Sequence, residues 1–159
     1  MIVKHPKLED ANEMWELANK ANLDVNSSYS YLMMTKFFSD RCFVLKKDDG
    51  QVVGFATGFI LKNDVYFVWQ IGIDPEYQGR GLSKELLTQA VDILVKKQDV
   101  KFVQATITPE NIASMRLFKK LASIHNTFFA VKDGFDEDHF PDDKPGEKLI
   151  QVGPLNITY

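Results

Sequence analysis

An α/β fold, with a mixed central β-sheet flanked by helices on both faces, is predicted by three features of the sequence. Strand-like and helix-like periodicities alternate along the chain in the order β-α-α-β-β-β-α-β-α-β-β. One long apolar strand, Val65 to Ile73, is stopped by Asp74-Pro75, and a glycine turn then leads directly into the clearest amphipathic helix, Gly81 to Lys97. A chain of 159 residues, 45% hydrophobic and 26% charged, supplies one sizeable core and no internal domain boundary. A single domain over residues 1–159 is therefore expected.

The elements follow in order. Ile2 to Lys4 is a short first strand. From Lys7 to Asn22, Leu8, Ala11, Met14, Trp15, Ala18 and Ala21 recur at helical spacing and make one apolar face. Ser28 to Phe38 is a second, aromatic-rich helix, with Asn26 or Ser27 placed to cap it. Cys42 to Lys46 and Gln51 to Phe59 form a hairpin around Lys47-Asp48-Asp49-Gly50, where Asp-Gly is the turn signal.

In the helix from Gly81 to Lys97, Leu82, Leu86, Leu87, Ala90, Val91 and Leu94 build the buried face. Lys96 and Lys97 complement the dipole at its end. Phe102 to Thr106 is a strand, and Ile112 to Ala122 a shorter helix capped by Asn111. Thr127 to Val131 and Lys148 to Val152 are late strands, and Lys132 to Glu147 between them reads as a polar, acidic loop.

Several classes are disfavoured. A net charge of -3 argues against nucleic acid as the main partner, because phosphate backbones demand a surplus of Lys and Arg. No apolar run reaches the roughly 18 residues of a membrane span, and the first ten residues lack a signal-peptide core, so a cytoplasmic protein without membrane attachment is expected. His5, His125 and His139 match no metal-ligand spacing, and no metal is expected. Cys42, the single cysteine, lies in an apolar run and is expected to be a small buried hydrophobe, not a nucleophile.

The segment Gln78-Gly79-Arg80-Gly81-Leu82-Ser83 carries the chemical signal. Glycines at a helix N-terminus let backbone N–H groups approach an anion, and a guanidinium suits phosphate oxygens. On local pattern alone the alternatives are a pyrophosphate site and an ordinary tight turn. It is neither a Walker loop nor a full dinucleotide fingerprint.

That segment resembles the pyrophosphate loop of the GNAT acetyltransferases, Gln/Arg-x-x-Gly-x-Gly/Ala. The strand before it, ending in Ile71-Gly72-Ile73-Asp74-Pro75, resembles the bulged central strand of that family, and Thr108 to Phe118 its second cofactor element. The resemblance implies a GNAT fold and acetyl-CoA as cosubstrate. It implies cofactor contacts from Ile71, Gly72, Ile73, Gln78, Gly79, Arg80, Gly81, Leu82, Ser83, Asn111 and Phe118. Four runs are similar to the diaminobutyrate acetyltransferases within that family: Leu23 to Leu32, Phe67-Val68-Trp69-Gln70, Thr106 to Asn111, and Val152 to Leu155.

This second resemblance implies a small-molecule amine substrate, a diamino acid acetylated on its γ-amino group in ectoine biosynthesis. It places Asp24, Glu147 and Trp69 at the catalytic site, and a homodimer fits such enzymes. On residues alone, Asp24 reads as a turn or cap residue, Glu147 as a solvated loop carboxylate, and Trp69 as either core or pocket wall. The sequence departs from the family pattern at three places. Ser83 stands where the loop has Gly or Ala, Phe118 where many members have a proton-donating Tyr, and Lys144 where the diaminobutyrate enzymes have a His. These departures keep open another amine substrate (ornithine, lysine, a polyamine or a peptide N-terminus) or a non-catalytic acyl-CoA-binding module.

Overall fold

The computed structural model describes residues 1–24 and 26–156. Seven strands are ordered β1-β2-β3-β4-β5-β7-β6: β1 Ile2–Lys4, β2 Phe43–Lys46, β3 Val52–Leu61, β4 Val65–Ile73, β5 Phe102–Ile107, β6 Phe128–Phe135 and β7 Glu147–Gly153. Four α-helices, α1 Ala11–Lys20, α2 Ser28–Phe37, α3 Leu82–Gln98 and α4 Ile112–Ile124, take the expected positions between them. The mixed α/β class is borne out. The chain divides into two compact units, one of Met1–Phe59 with Val68–Leu94, the other of Ile60–Phe67 with the chain from Val95 onward. No described helix is long and apolar enough to cross a membrane.

In the first unit β1 and β2 pair antiparallel, with Val3 opposite Leu45, and β2 pairs antiparallel with β3. The hairpin turns as its Asp-Gly demands. Gly50 adopts φ 91°, in the region an ordinary side chain avoids, and its N–H donates to the Lys47 carbonyl at 2.9 Å. Against this sheet α1 and α2 lay Ala11, Met14, Leu17, Ala18 and Tyr31, which cluster with Val44, Val52 and Phe55. The Tyr31 and Phe55 rings meet edge to face at 5.9 Å.

The first helix starts later than its apolar period suggests. Lys7 donates its N–H to the Asp10 carboxylate at 2.8 Å, Leu8–Asp10 makes a 3-10 turn, and the α-helix begins at Ala11. Asp10 is buried and its carboxylate also meets the Lys46 ammonium at 2.6 Å, which ties the helix start to β2. Asn22, at φ 56°, terminates the helix in the left-handed conformation that Asn tolerates best after Gly. Ser27 occupies the cap position of α2, but its hydroxyl makes no capping bond and instead lies 3.3 Å from the Ser30 hydroxyl.

In the second unit the first three residues of β4 pair parallel with β5, Val65 opposite Phe102 and Phe67 opposite Gln104. The antiparallel strand β7 runs between β5 and β6. Asn111 caps α4 as expected, its side-chain oxygen accepting the Ser114 N–H at 3.1 Å.

The acidic loop is shorter than expected. Strand β6 continues to Phe135 and β7 already begins at Glu147, because pairing resumes at Phe135 opposite Glu147 after a register shift. Gly134 permits this, since a Cβ there would collide with the backbone of Glu147 to Leu149. A 3-10 turn, Glu137–His139, interrupts what remains of the loop.

Cys42 is fully buried, its backbone carbonyl 3.0 Å from the His5 ring nitrogen. Burial, the dominant cause, pushes its thiol up to about 12. Native protein at pH 8 is therefore expected to resist alkylation by iodoacetamide, whereas the same protein in urea is labelled completely. Mass spectrometry of both samples checks this, and rapid labelling of the folded protein would contradict the burial.

Candidate active site

The end of β4 organises the first unit's polar residues. Side chains alternate along a strand, so Trp69 and Ile71 leave one face of β4 and Gln70 and Gly72 the other. Trp69 is 38% exposed and its ring lies 5.8 Å from that of Phe59. It is thus a partly open surface aromatic, not a core residue. On the opposite face Gly72 is closely covered, since an added Cβ would stand 2.7 Å from Cδ1 of Leu23 and force that side chain to move. Gly54 of β3 is covered in the same way, with Cδ1 of Ile73 at 2.6 Å.

Asp74 then ends the strand. Its N–H donates to the Val53 carbonyl at 2.8 Å, and its buried carboxylate accepts the Glu76 N–H at 2.9 Å and the Lys20 ammonium at 2.9 Å. Burial alone would raise the Asp74 carboxyl. The Glu76 N–H and the Lys20 ammonium outweigh it and hold the group below the usual carboxylate range. The hydrogen bond from Asp74 in turn raises Lys20.

Pro75–Tyr77 forms a 3-10 turn capped by that carboxylate, and Gln78 returns a side-chain bond to the Ile73 carbonyl at 3.1 Å. The loop beyond is built to approach a ligand. Gly79 and Gly81 sit at φ 77° and 74°, with open space where a Cβ would project. The Gly81 carbonyl accepts the Glu85 N–H at 3.1 Å, which leaves the N–H groups of the first turn of α3 without helical acceptors. Arg80 is exposed, stacked 5.1 Å over the Tyr77 ring, and Lys47 reaches the same ring at 5.7 Å. Glycines in the left-handed region, helix N–H groups without helical acceptors and the exposed Arg80 guanidinium in one turn fit a pyrophosphate chemically.

Asp24 is exposed, and its backbone carbonyl accepts a 2.8 Å bond from the Gln70 amide. Gln70 in turn accepts the Tyr31 hydroxyl at 2.7 Å. The sequence reading missed Gln70, Tyr31, Lys20 and Asp74. The signal within reach was a polar Gln inside an apolar strand, since such a group, once buried, needs hydrogen-bond partners.

Glu147 belongs to the second unit. It lines a cavity of about 230 Å³ with Pro109, Glu110, Phe135, Asp136 and Glu137. Lys144 lines a neighbouring acidic hollow with Glu137, Asp138, Asp142 and Asp143. Asn111 spends its side-chain oxygen on the helix cap, and Phe118 is buried on α4. The structure thus gathers Asp24, Trp69 and the 78–83 loop in one unit and Glu147, Asn111 and Phe118 in the other.

A sequence model of the acetyltransferase (GNAT) family matches residues 11–122. The chain belongs to the GNAT acetyltransferase family. This GNAT chain is 45% identical over 158 residues to the L-2,4-diaminobutyric acid acetyltransferase of Marinococcus halophilus, covering 98% of this chain and 91% of that one. It is 46% identical over 161 residues to the enzyme of the same name from Halalkalibacterium halodurans, covering 98% and 83%. Among solved structures it resembles the diaminobutyrate acetyltransferase EctA from Paenibacillus lautus, in complex with its substrate L-2,4-diaminobutyric acid and coenzyme A. There the TM-score is 0.87 at 29% identity, with 99% and 97% of the two chains covered.

The Lys20–Asp74 pair has a defined pH window. A lowered carboxyl contributes stability above its unfolded pKa and loses it as pH falls through the folded value. A raised ammonium contributes below its unfolded pKa and loses it as pH rises through the folded value. The pair therefore contributes between roughly pH 4 and 10. Asp74→Asn is expected to lower Tm by several degrees at pH 7 and by progressively less as pH drops below about 4. Melting curves of both proteins across pH 3 to 8 measure this, and a pH-independent difference would show that the charge plays no part.

Proposed function

We propose that this GNAT enzyme transfers the acetyl group of acetyl-CoA to the γ-amino group of L-2,4-diaminobutyrate, a step of ectoine biosynthesis. The observation that carries the proposal is the identity of 45% over 98% of the chain to an enzyme of that name. The family match runs through both units, which supports one catalytic domain spanning the chain. The same reading places the enzyme in the cytoplasm and makes it a homodimer.

The open turn at Gly79 and Gly81, the first N–H groups of α3 around Leu82 and Ser83, and Arg80 would hold the pyrophosphate of the cofactor. Gln78 braces that turn through its bond to Ile73. Acetyl-CoA, when bound, supplies a thioester whose acyl group is the one transferred. In this reading, which rests on the resemblance to the family, a backbone N–H along Trp69–Ile73 would hydrogen-bond the thioester oxygen, and Asn111 and Phe118 would flank the cofactor arm.

The reaction forms a C–N bond and breaks the C–S bond. The amine must lose a proton before attack, and the thiolate must gain one. Asp24 and Glu147 each offer a carboxylate to an ammonium group of the substrate, and either can accept the amine proton directly or through water. Trp69 supplies an aromatic wall. Phe118 has no proton to give, so the leaving thiolate takes its proton from another source. Direct transfer is favoured over a covalent acyl-enzyme, because the only cysteine is buried with its thiol pushed up to about 12.

Two experiments test this. Coenzyme A is expected to raise the Tm of the wild type with ligand concentration, and Gly81→Val is expected to abolish the response. A valine at φ 74° strains the turn and projects a side chain into the space the ligand needs. Undiminished CoA affinity in a folded Gly81→Val protein would reject the loop assignment.

For the amine, kcat/KM is measured with 2,3-diaminopropionate, 2,4-diaminobutyrate, ornithine and lysine. Diaminobutyrate should be the best substrate. Asp24→Asn and Glu147→Gln should each lower its kcat/KM by roughly thirtyfold or more, the effect of losing one partner of a desolvated charge pair. Acetyl-CoA affinity should stay near the wild-type value. Lys144→His belongs in the same series. If only that variant accepts diaminobutyrate, the native enzyme acts on another amine.

A further inference from the structure

We infer that Gln70 and Tyr31 are positioning residues for the amine site, acting through the α1–α2 connection that carries Asp24. The inference rests on the proposed role of Asp24. The connection leaves α1 at Asn22, in the left-handed conformation, and enters α2 after Ser27. Contacts from Leu23, Gln70 and Tyr31 tie this connection to its flanking helices and to β4. Leu23 donates its N–H to the Ala18 carbonyl at 3.0 Å and lays its side chain over the bare backbone of Gly72. Gln70 donates its amide N–H to the Asp24 carbonyl at 2.8 Å. Tyr31, 2% exposed, donates its hydroxyl to the Gln70 oxygen at 2.7 Å, and the Asn26 side chain joins the same hydroxyl.

The chemistry fixes the orientation of the carboxamide. A backbone carbonyl can only accept, so the Gln70 nitrogen must face Asp24 and its oxygen must face Tyr31. The two polar atoms of this buried group therefore have partners on two different elements, the oxygen on α2 and the nitrogen on the connection between the helices. An apolar residue would pack at position 70 equally well if burial were its only task, because Val68 and Gly72, its neighbours on that face of β4, are apolar. A two-sided hydrogen-bonder there instead sets the height and rotation of the Asp24 peptide over β4. The exposed Asp24 carboxylate depends on that peptide for its direction, and the same strand carries Trp69 and the residues assigned to the thioester.

The test separates positioning from general support of the fold. Three variants, Gln70→Glu, Tyr31→Phe and Asp24→Asn, are compared with wild type. Gln70→Glu keeps length and an acceptor for Tyr31 but removes the donor to Asp24. Tyr31→Phe keeps the ring on Phe55 and removes only the hydroxyl. Diaminobutyrate binding is measured by calorimetry with coenzyme A present, and KM is measured separately for amine and acetyl-CoA.

Gln70→Glu is expected to weaken amine binding by about tenfold or more, and Tyr31→Phe by about three- to tenfold. The KM for acetyl-CoA should stay within about twofold. In the double variant Gln70→Glu/Asp24→Asn the losses should be clearly less than additive, because both changes act on one contact. Additive losses, or a matching loss of acetyl-CoA affinity, would overturn the positioning role in favour of a structural one. Unaltered amine affinity in both Gln70→Glu and Tyr31→Phe, with Asp24→Asn impaired, would overturn this inference alone. Unaltered affinity in Asp24→Asn would overturn the proposed Asp24 role and this inference with it.

Discussion

Everything at the glycine-loop end of the first unit depends on where β4 stops, and a buried carboxylate decides that. Asp74 is the last residue bonded to the neighbouring strand, through its N–H to Val53, and the first to turn away, through its side chain to Glu76. A carboxylate in that position costs desolvation, which the Lys20 ammonium and the Glu76 N–H offset. Proline at the next position removes the N–H that would continue the ladder and presets the 3-10 turn. Gln78 closes the turn back onto Ile73, so the glycine loop starts from a fixed backbone. The loop can then be open and glycine-rich, because its rigidity is supplied from its ends.

Much of this was legible in the sequence, and for identifiable reasons. The boundaries of β4 were legible because an unbroken apolar run ended in Asp-Pro. Helix α3 was legible because its period was long, and the Asn111 cap because Asn precedes an apolar helical pattern. The start of α1 was not, because Leu8 falls on the apolar period. Only the tertiary bond from Asp10 to Lys46 reveals that the carboxylate points inward and breaks the first turn into 3-10 geometry. Strand β6 was cut short for a related reason. As the last strand of the order, with most residues exposed, it needs little hydrophobic signature, and Asp133-Gly134 looks like a turn. Gly134 in fact serves close pairing with β7.

The site itself was only partly legible. The glycine loop announces itself because its turn takes a left-handed backbone conformation at Gly79 and Gly81, and such requirements leave glycines in the sequence. Asp24 and Glu147 carry no local signature of function. The roles proposed for them rest on resemblance to enzymes of stated substrate. Residues such as Lys20, Tyr31 and Gln70 act by holding other groups, and their partners lie between 39 and 54 positions away in the chain. A single sequence without the fold cannot pair them.

The alternation of β4 gives one strand two faces of different character. A strand puts neighbours on opposite faces, so a two-residue dipeptide such as Trp69-Gln70 separates its duties without any special geometry. The Trp69 face stays partly open and its ring rests on Phe59. The Gln70 face is closed by α1, α2 and Leu23, and its polar atoms are consumed in holding the segment that presents Asp24. Both faces are referenced to the same backbone, and that backbone also delivers Asp74 and the glycine loop. A shift of one residue in the register of β4 would exchange the two faces and move the loop together. In the observed register Gly54 and Gly72 face Cδ1 of Ile73 and of Leu23, which lie 2.6 and 2.7 Å from where a Cβ would stand, so a larger residue at either position requires those side chains to shift. Close packing around two glycines thus accompanies the polar contacts that fix this end of β4.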